Sequence, residues 1–205
     1  MELYNTKPSV ILNSGGLDSI TLMKYCYHIL GDRNIHSIHF TYGALNEQQQ
    51  LRCVNKVCQE LGAKNVVIEL PRMPWTKSDF FKKGVESTSE GQYLEYRNLI
   101  FMSYAISYAE SIGAPWVSLA LVNGNEYVDT TPTFVDGLSL IASQSNIGIF
   151  TPFLEHNKAM VCRLAKTLGV KREDFFSCDR PTPDGRPCEV CDCCKEISQI
   201  FTETY

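Results

Sequence analysis

Short apolar runs alternate with longer segments of helical period along most of the chain. Residues 8–13, centred on Val10-Ile11-Leu12, read as a first strand, and 18–30 as a helix with Gly31 as its stop. Ile35 to Tyr42 reads as a second strand broken by Gly43. In residues 45–61, Leu51, Val54, Val57, Cys58 and Leu61 recur at helical spacing, and Gly62 ends that helix. Val66-Val67-Ile68 gives a third strand and Trp116 to Val122 a fourth. Residues 97–112 are apolar almost all round, which predicts a helix inside the core. A polar stretch, 123–133, precedes a helix at about 132–142. A strand at 147–150 then leads through Thr151-Pro152 to a last amphipathic helix, 157–168, closed by Gly169. Residues 71–93 hold prolines, lysines and serines with little period, which predicts a mobile functional loop.

This alternation predicts an α/β fold: a Rossmann-like parallel sheet with helices on both faces. In such sheets ligands bind beyond the carboxyl ends of the strands. The glycine turn after the first strand, Tyr42-Gly43, the 123–133 loop and Thr151-Pro152 all follow strands, so they are expected to share one rim. The pattern divides the chain into an α/β body, 1–170, and a C-terminal segment, 171–205.

Composition narrows the class. The 205 residues are 44% hydrophobic and 20% charged, with a net charge of −4, ordinary values for a globular domain. No long run of Lys or Arg is present, so no direct nucleic-acid binding is expected. No basic-then-apolar leader opens the sequence and no apolar run could span a bilayer, so a cytoplasmic protein is expected.

Nine cysteines are unevenly placed. Cys26, Cys53, Cys58 and Cys162 are scattered through helix-like segments as buried thiols, whereas five crowd into 178–194. Without an export signal, such crowding points to metal rather than disulfides. Cys178, Cys188, Cys191 and Cys194 form C-x9-C-x2-C-x2-C, matching a closed tetrahedral zinc site of structural type. An iron–sulfur cluster is the alternative occupant. Asp184-Gly185-Arg186-Pro187 supplies the turn between the first two ligands, and Cys193 is left over. The metal is expected to hold down a tail with little core of its own.

Ser14-Gly15-Gly16-Leu17-Asp18-Ser19 lies between the first strand and the first helix. Paired glycines let the backbone approach an anion, and the helix offers its unpaired N–H groups. No Lys follows, so it is neither the nucleoside-triphosphate P-loop nor the G-x-G-x-x-G fingerprint. It resembles the SGG-x-D-S signature of the PP-loop ATP pyrophosphatases. Arg97 and Lys158 each open a helix, where a cation opposes the dipole by roughly 0.3–1 kcal/mol and gains from an anion nearby. That anion is a substrate group or, for Arg97, the neighbouring Glu95; Lys158 taken by itself reads as a solvated charge near a helix end. Asp18 suits a helix cap or a magnesium site. His28, His36, His39 and His156 have no ligand spacing, and packing or surface roles suffice for them.

With the glycine turn near the start and the cysteine set near the end, the sequence resembles the QueC family of 7-cyano-7-deazaguanine synthases. The likeness runs through Lys7 to Thr21, then Arg97-Asn98, Phe101, Ser103, Ala105, Tyr108-Ala109-Glu110 and Gly113-Ala114. It continues at Thr151-Pro152, Lys158-Ala159 and Leu168-Gly169, and from Ser177-Cys178 to Cys194. The resemblance implies an adenine-nucleotide alpha-hydrolase-like fold and an ATP site at Asn13, Ser14, Gly15, Gly16, Leu17, Asp18, Ser19, Ile20 and Thr21. It implies catalytic roles for Arg97, Lys158 and Asp18, and substrate contacts at Tyr42, Asn98, Asn123, Glu126 and Asp129. The implied cofactors are one structural Zn2+ and Mg2+ with ATP. The implied partners are 7-carboxy-7-deazaguanine, ammonia and a second copy of the chain in a homodimer. Adenylation of the carboxylate, displacement of AMP by ammonia and a second activation would give the nitrile.

Two stretches depart from the family. After Tyr42-Gly43 stands Ala44-Leu45-Asn46 instead of a Gln-basic-His run, and Gln49 replaces a Glu. In the 123–133 loop a Ser-Gly-Tyr-Pro-like stretch shrinks to Val128, and Thr131 takes an arginine position. A divergent enzyme acting on a related carboxylate or another amine therefore stays open beside the strict assignment. A tRNA-modifying PP-loop sulfurtransferase would need a catalytic cysteine outside the zinc set. A non-enzymatic zinc module fits poorly with a core-rich, acidic body.

Overall fold

The computed structural model describes residues 7–82, 91, 93–124 and 127–202. Five strands form one parallel sheet in the order β3-β2-β1-β4-β5. They are β1 (Ser9–Leu12), β2 (Ile35–Thr41), β3 (Lys64–Glu69), β4 (Trp116–Ser118) and β5 (Gly148–Phe150). The helices are α1 (Leu17–His28), α2 (Glu47–Leu61), α3 (Arg97–Ile112), α4 (Pro132–Ser143), α5 (Lys158–Thr167) and α6 (Asp192–Thr202). The strand order reverses at β1, between β2 and β4, so the crevice beyond β1 is the expected ligand position for this topology.

Period-two alternation in β1 separates two cores. Val10 faces one, with Met102, Ala105 and Ala109 of α3 and Leu138 of α4. Ile11 faces the other, with Ile20 of α1, Val54 of α2, Val161 of α5 and Ile197 of α6. Both faces of the strand are covered, as a parallel sheet requires.

The elements depart from the sequence expectation in four places. β4 stops at Ser118 rather than Val122. Its partner β1 ends at Leu12, where the glycine turn begins, so 119–122 has no ladder to join and lines the crevice instead. α3 is not apolar-buried all round: Met102, Ala105 and Ala109 are its buried residues, while Tyr104 lies on the open side. The 71–93 segment, where described, is packed rather than loose, because Met73, Phe80 and Phe81 are buried in the first core.

The fourth departure is α6. Its cysteine-rich start masks the helical pattern, yet Ile197 is 3% exposed and sits in the second core with Phe175. Burying such side chains contributes about 1.5–3 kcal/mol each. The residues after 171 therefore add to the core, and α6 packs on α5.

Candidate active site and metal centre

A cavity of about 330 Å3 opens at the carboxyl ends of β1, β2 and β4. One end is built by the glycine turn. Gly15 has φ +80, and a Cβ there would stand 2.4 Å from the Gln50 carbonyl oxygen of α2, so only glycine fits. Its N–H donates to Asn13 Oδ1 (3.0 Å) and its carbonyl accepts from the Phe176 N–H (2.8 Å). Gly16, extended at φ −80, starts α1. The Gly16 N–H donates to Ser14 Oγ (3.3 Å) and the Leu17 N–H to Ser177 Oγ (3.2 Å). These are the groups an anion at this helix start would engage.

Of the residues expected to bind nucleotide, Asn13, Ser14, Gly16, Leu17, Asp18 and Ser19 line the cavity. Gly15, Ile20 and Thr21 do not. Ile20 lies on the buried face of α1, and Thr21 Oγ1 donates to the Leu17 carbonyl (2.7 Å). Gly15 turns its back to Gln50.

Lys158 reaches across from the first residue of α5, whose N-cap Asn157 Oδ1 accepts from the Met160 N–H (3.0 Å). Its Nζ donates to both carboxylate oxygens of Asp18, at 2.9 and 2.7 Å. Asp18 therefore caps nothing; it meets the cation. Burial works against the Lys158 charge, but the Asp18 carboxylate overrides it and holds the ammonium above its usual range. Lys158 is not a solvated surface lysine.

The other end of the cavity is aromatic. Tyr42, Phe80, Phe101, Tyr93 and Tyr127 line it, the last two stacked with ring centroids 5.3 Å apart. Arg97 enters here. Glu95 does not pair with it, because that carboxylate accepts from Thr76 Oγ1 (2.7 Å). Instead the guanidinium lies 3.5 Å from Tyr42 Oη and 5.1 Å from the Phe80 ring centre. Burial opposes its charge, while Tyr42 and the nearby Asp129 and Asp179 carboxylates sustain it. Asp129 also accepts from the Asn98 N–H (2.9 Å), and Asn98 Nδ2 returns a bond to the Asp129 carbonyl (3.0 Å). The carboxylate thus offsets the cation at the start of α3.

Among the expected substrate contacts, Tyr42, Asn98 and Asp129 line the cavity. Asn123 does not: it is exposed, with its N–H bonded to the His156 carbonyl (2.9 Å), where the chain turns outward at Gly124. Glu126 lies outside the described residues. Thr131 Oγ1 accepts from the Phe134 N–H (3.2 Å) and caps α4.

Four residues of the site carry no motif in the sequence. Ser177 completes the glycine turn from the far end of the chain. Asp179 and Cys193 enter the cavity beside Arg97 and Lys158, with Cys193 Sγ donating to Asp179 Oδ2 (3.3 Å). Burial pushes the Asp179 carboxyl up to about 6, against that hydrogen bond and Arg97, while burial and Asp179 keep Cys193 a thiol.

His39 is the fourth. It is buried in β2, with Nδ1 2.8 Å from the Asn13 carbonyl. Among the described residues its Nε2 has no partner, so a charged ring would bury an unmet N–H. Burial lowers its pKa below 6.5, although the Asn13 carbonyl and Glu47 act the other way. The unfolded chain then binds more protons than the folded one between the folded pKa and about 6.5. Stability is therefore full above about pH 6.5 and falls as pH drops toward the folded value. Urea unfolding between pH 7.5 and 5.5 should show a shallower pH slope for His39→Gln than for the wild type. Equal slopes would rule this role out.

Cys178, Cys188, Cys191 and Cys194 converge, all four Sγ atoms lying within 4.8 Å of one another. Cys178–Cys191 and Cys188–Cys194 are each 4.0 Å apart. The Cys188 N–H points to Cys178 Sγ and the Cys191 N–H to Cys188 Sγ, both at 3.3 Å. Hydrogen bonding between Cys178 and Cys191 lowers the Cys191 thiol while it raises that of Cys178. These four residues could hold a metal ion. The turn expected at 184–187 is present, closed by the Gly185 N–H to the Thr182 carbonyl (2.8 Å).

Among the described residues no helix is long and apolar enough to cross a membrane. In structure, the chain is similar to U34-tRNA thiolase NcsA from Methanococcus maripaludis with its [4Fe-4S] cluster, at TM-score 0.59 and 14% identity. That match covers 98% of this chain and 66% of the other, and speaks to fold alone. In sequence, it is 30% identical over 217 residues to the 7-cyano-7-deazaguanine synthase of Clostridium kluyveri, covering 96% of this chain and 94% of that protein. It is also 30% identical over 213 residues to the synthase of Magnetococcus marinus, covering 95% and 92%. The family described as queuosine biosynthesis protein QueC matches residues 8–205. With that match spanning nearly its whole length, this chain belongs to the QueC family.

Proposed function

We propose that the protein is an ATP-dependent 7-cyano-7-deazaguanine synthase that adenylates a carboxylate on a 7-deazaguanine ring. The observation that carries this is the two-ended cavity: glycine turn and Lys158–Asp18 at one end, aromatic walls and Arg97 at the other. A nucleotide phosphate chain fits the first and a planar ring the second. In the first step a carboxylate oxygen attacks the α-phosphorus and pyrophosphate leaves. Ammonia then attacks the acyl carbon and AMP leaves with the carboxylate oxygen, giving an amide and a proton. A second ATP activates the amide oxygen in the same way, and loss of AMP and two N–H protons leaves the nitrile. None of these steps needs a protein nucleophile. The chain's part is to align the reactants and balance the charge that moves onto pyrophosphate.

Lys158 would meet the phosphates, with Asp18 holding it aimed. Arg97 would hold the substrate carboxylate, and Tyr42, Asn98 and Asp129 would support the ring pocket. Magnesium would neutralise phosphate charge, with Asp18 sharing its carboxylate between the metal and Lys158. Zinc suits the cysteine set: with Zn–S near 2.3 Å a tetrahedron has edges of about 3.8 Å, close to the 4.0 Å pairs. A four-iron cluster would take each thiolate on a different iron and so need the four sulfurs farther apart than the 4.8 Å seen here.

Thr131 favours a second reading, in which the carboxylate is a relative of 7-carboxy-7-deazaguanine. Its hydroxyl is spent on capping α4, so no cation stands at that position. The sulfurtransferase reading needs a reactive thiol, and Cys193, the thiol in the cavity, is pushed well above the range of a nucleophile. Incubation with 7-carboxy-7-deazaguanine, Mg-ATP and ammonium should release two AMP per nitrile, followed by mass and AMP assay. AMP with an amide end-product, or no AMP with this acid but release with a related one, would move the assignment to the second reading.

A further inference from the structure

Asp179 is a buried acid whose setting the proposed chemistry does not yet use. Its side chain enters the cavity from the loop directly after Cys178, yet the residue is only 8% exposed. Among the described residues its carboxylate takes one hydrogen bond, from the thiol of Cys193. A thiol is a weak donor, and a buried carboxylate with so little satisfaction costs free energy unless another donor arrives. The other cavity acids are accounted for. Asp18 gives both oxygens to Lys158, Asp129 caps the start of α3, and Glu196 is exposed to solvent.

The missing donor has a definable chemistry. Asp179 feels the charges of Arg97, Arg180 and Tyr127, while its hydrogen-bond partner Cys193 stands near Lys158, so it sits where the aromatic end meets the phosphate cradle. Walls of Tyr93, Tyr127 and Phe80 admit a flat ring. A carboxylate at the rim of a flat slot accepts best from two neighbouring N–H groups in the plane of the ring. We propose that Asp179 is a specificity-determining residue that accepts hydrogen bonds from the ring N–H and exocyclic amino group of the planar heterocycle carrying the reacting carboxylate. For the identity of the ring this rests on the function proposed above. It adds the prediction that the 2-amino group is read directly, by this residue.

Calorimetry measures binding of 7-carboxy-7-deazaguanine and its 2-desamino analogue to the zinc-loaded protein, with the non-hydrolysable ATP analogue AMPCPP present. The wild type should prefer the amino compound by about 10–100-fold, the range for a hydrogen bond to a charged group. In Asp179→Asn, and in Asp179→Ser as a second variant, the preference should shrink below about threefold while zinc content stays at one per chain. Equal binding of the two rings by the wild type overturns the proposal, and that comparison needs no variant. So does a preference that survives both substitutions, or failure of the wild type to bind either ring. If the preference is present and lost on substitution, yet the wild type forms no AMP from the carboxylate, the role of Asp179 stands and the reaction does not.

Discussion

Lys158→Ala should lower AMP formation by about 10²–10³-fold at saturating substrates, the loss typical of removing one charge partner of a developing anion. The two Lys158–Asp18 hydrogen bonds also predict a structural effect, since removing the lysine leaves a partly buried carboxylate without its cation. The two effects can be separated. In Asp18→Asn/Lys158→Ala the stranded charge is gone, so thermal stability should return toward the wild type while turnover stays low. Stopped assays of AMP and thermal melts of the three proteins give the answer. Turnover within about threefold of the wild type in Lys158→Ala would remove this residue from the phosphate site.

Much of this arrangement can be read in the sequence, because the motifs that form it are local. Gly15 and Gly16 follow a strand run, and the chain must turn there whatever else it does. The parallel sheet follows from the alternation of short apolar runs with periodic segments, and α3 begins and ends at the expected residues. What cannot be read is set by long-range packing. Ser177 reaches Leu17 across 160 positions, and nothing in a Ser beside a Cys announces a cap for a distant helix. Asp179 and Cys193 look like members of a metal loop until the fold turns them into the cavity. His39 reads as one apolar-strand histidine among others, and its tie to the Asn13 carbonyl exists only in the register of β1 on β2. Ile197 is hidden differently. The cysteines before it break the apolar pattern by which an amphipathic helix is recognised.

The metal loop and the glycine turn are joined by two residues, and that connection has a measurable consequence. Phe176 donates to the Gly15 carbonyl, Ser177 accepts from the Leu17 N–H, and the next residue is the ligand Cys178. From α2, Asn46 Nδ2 holds the Cys178 carbonyl at 3.0 Å and Gln50 Nε2 reaches the Phe176 carbonyl at 3.4 Å. A metal on the four thiolates would fix this strip against the turn, and binding free energy of that kind is folding free energy for the segment. Cys191→Ser should therefore do more than release zinc. Cys191 is buried one residue before α6, so its loss loosens the start of that helix and the seat of Ile197. Zinc content should fall well below one per chain, and affinity for AMPCPP should fall by about tenfold or more. Far-UV circular dichroism should stay near the wild-type signal, since the sheet and the first core take no residue from the metal segment. Atomic absorption and calorimetry on the same samples test the coupling. Loss of zinc with unchanged AMPCPP affinity would mean that α2 and the core alone hold Ser177 in place.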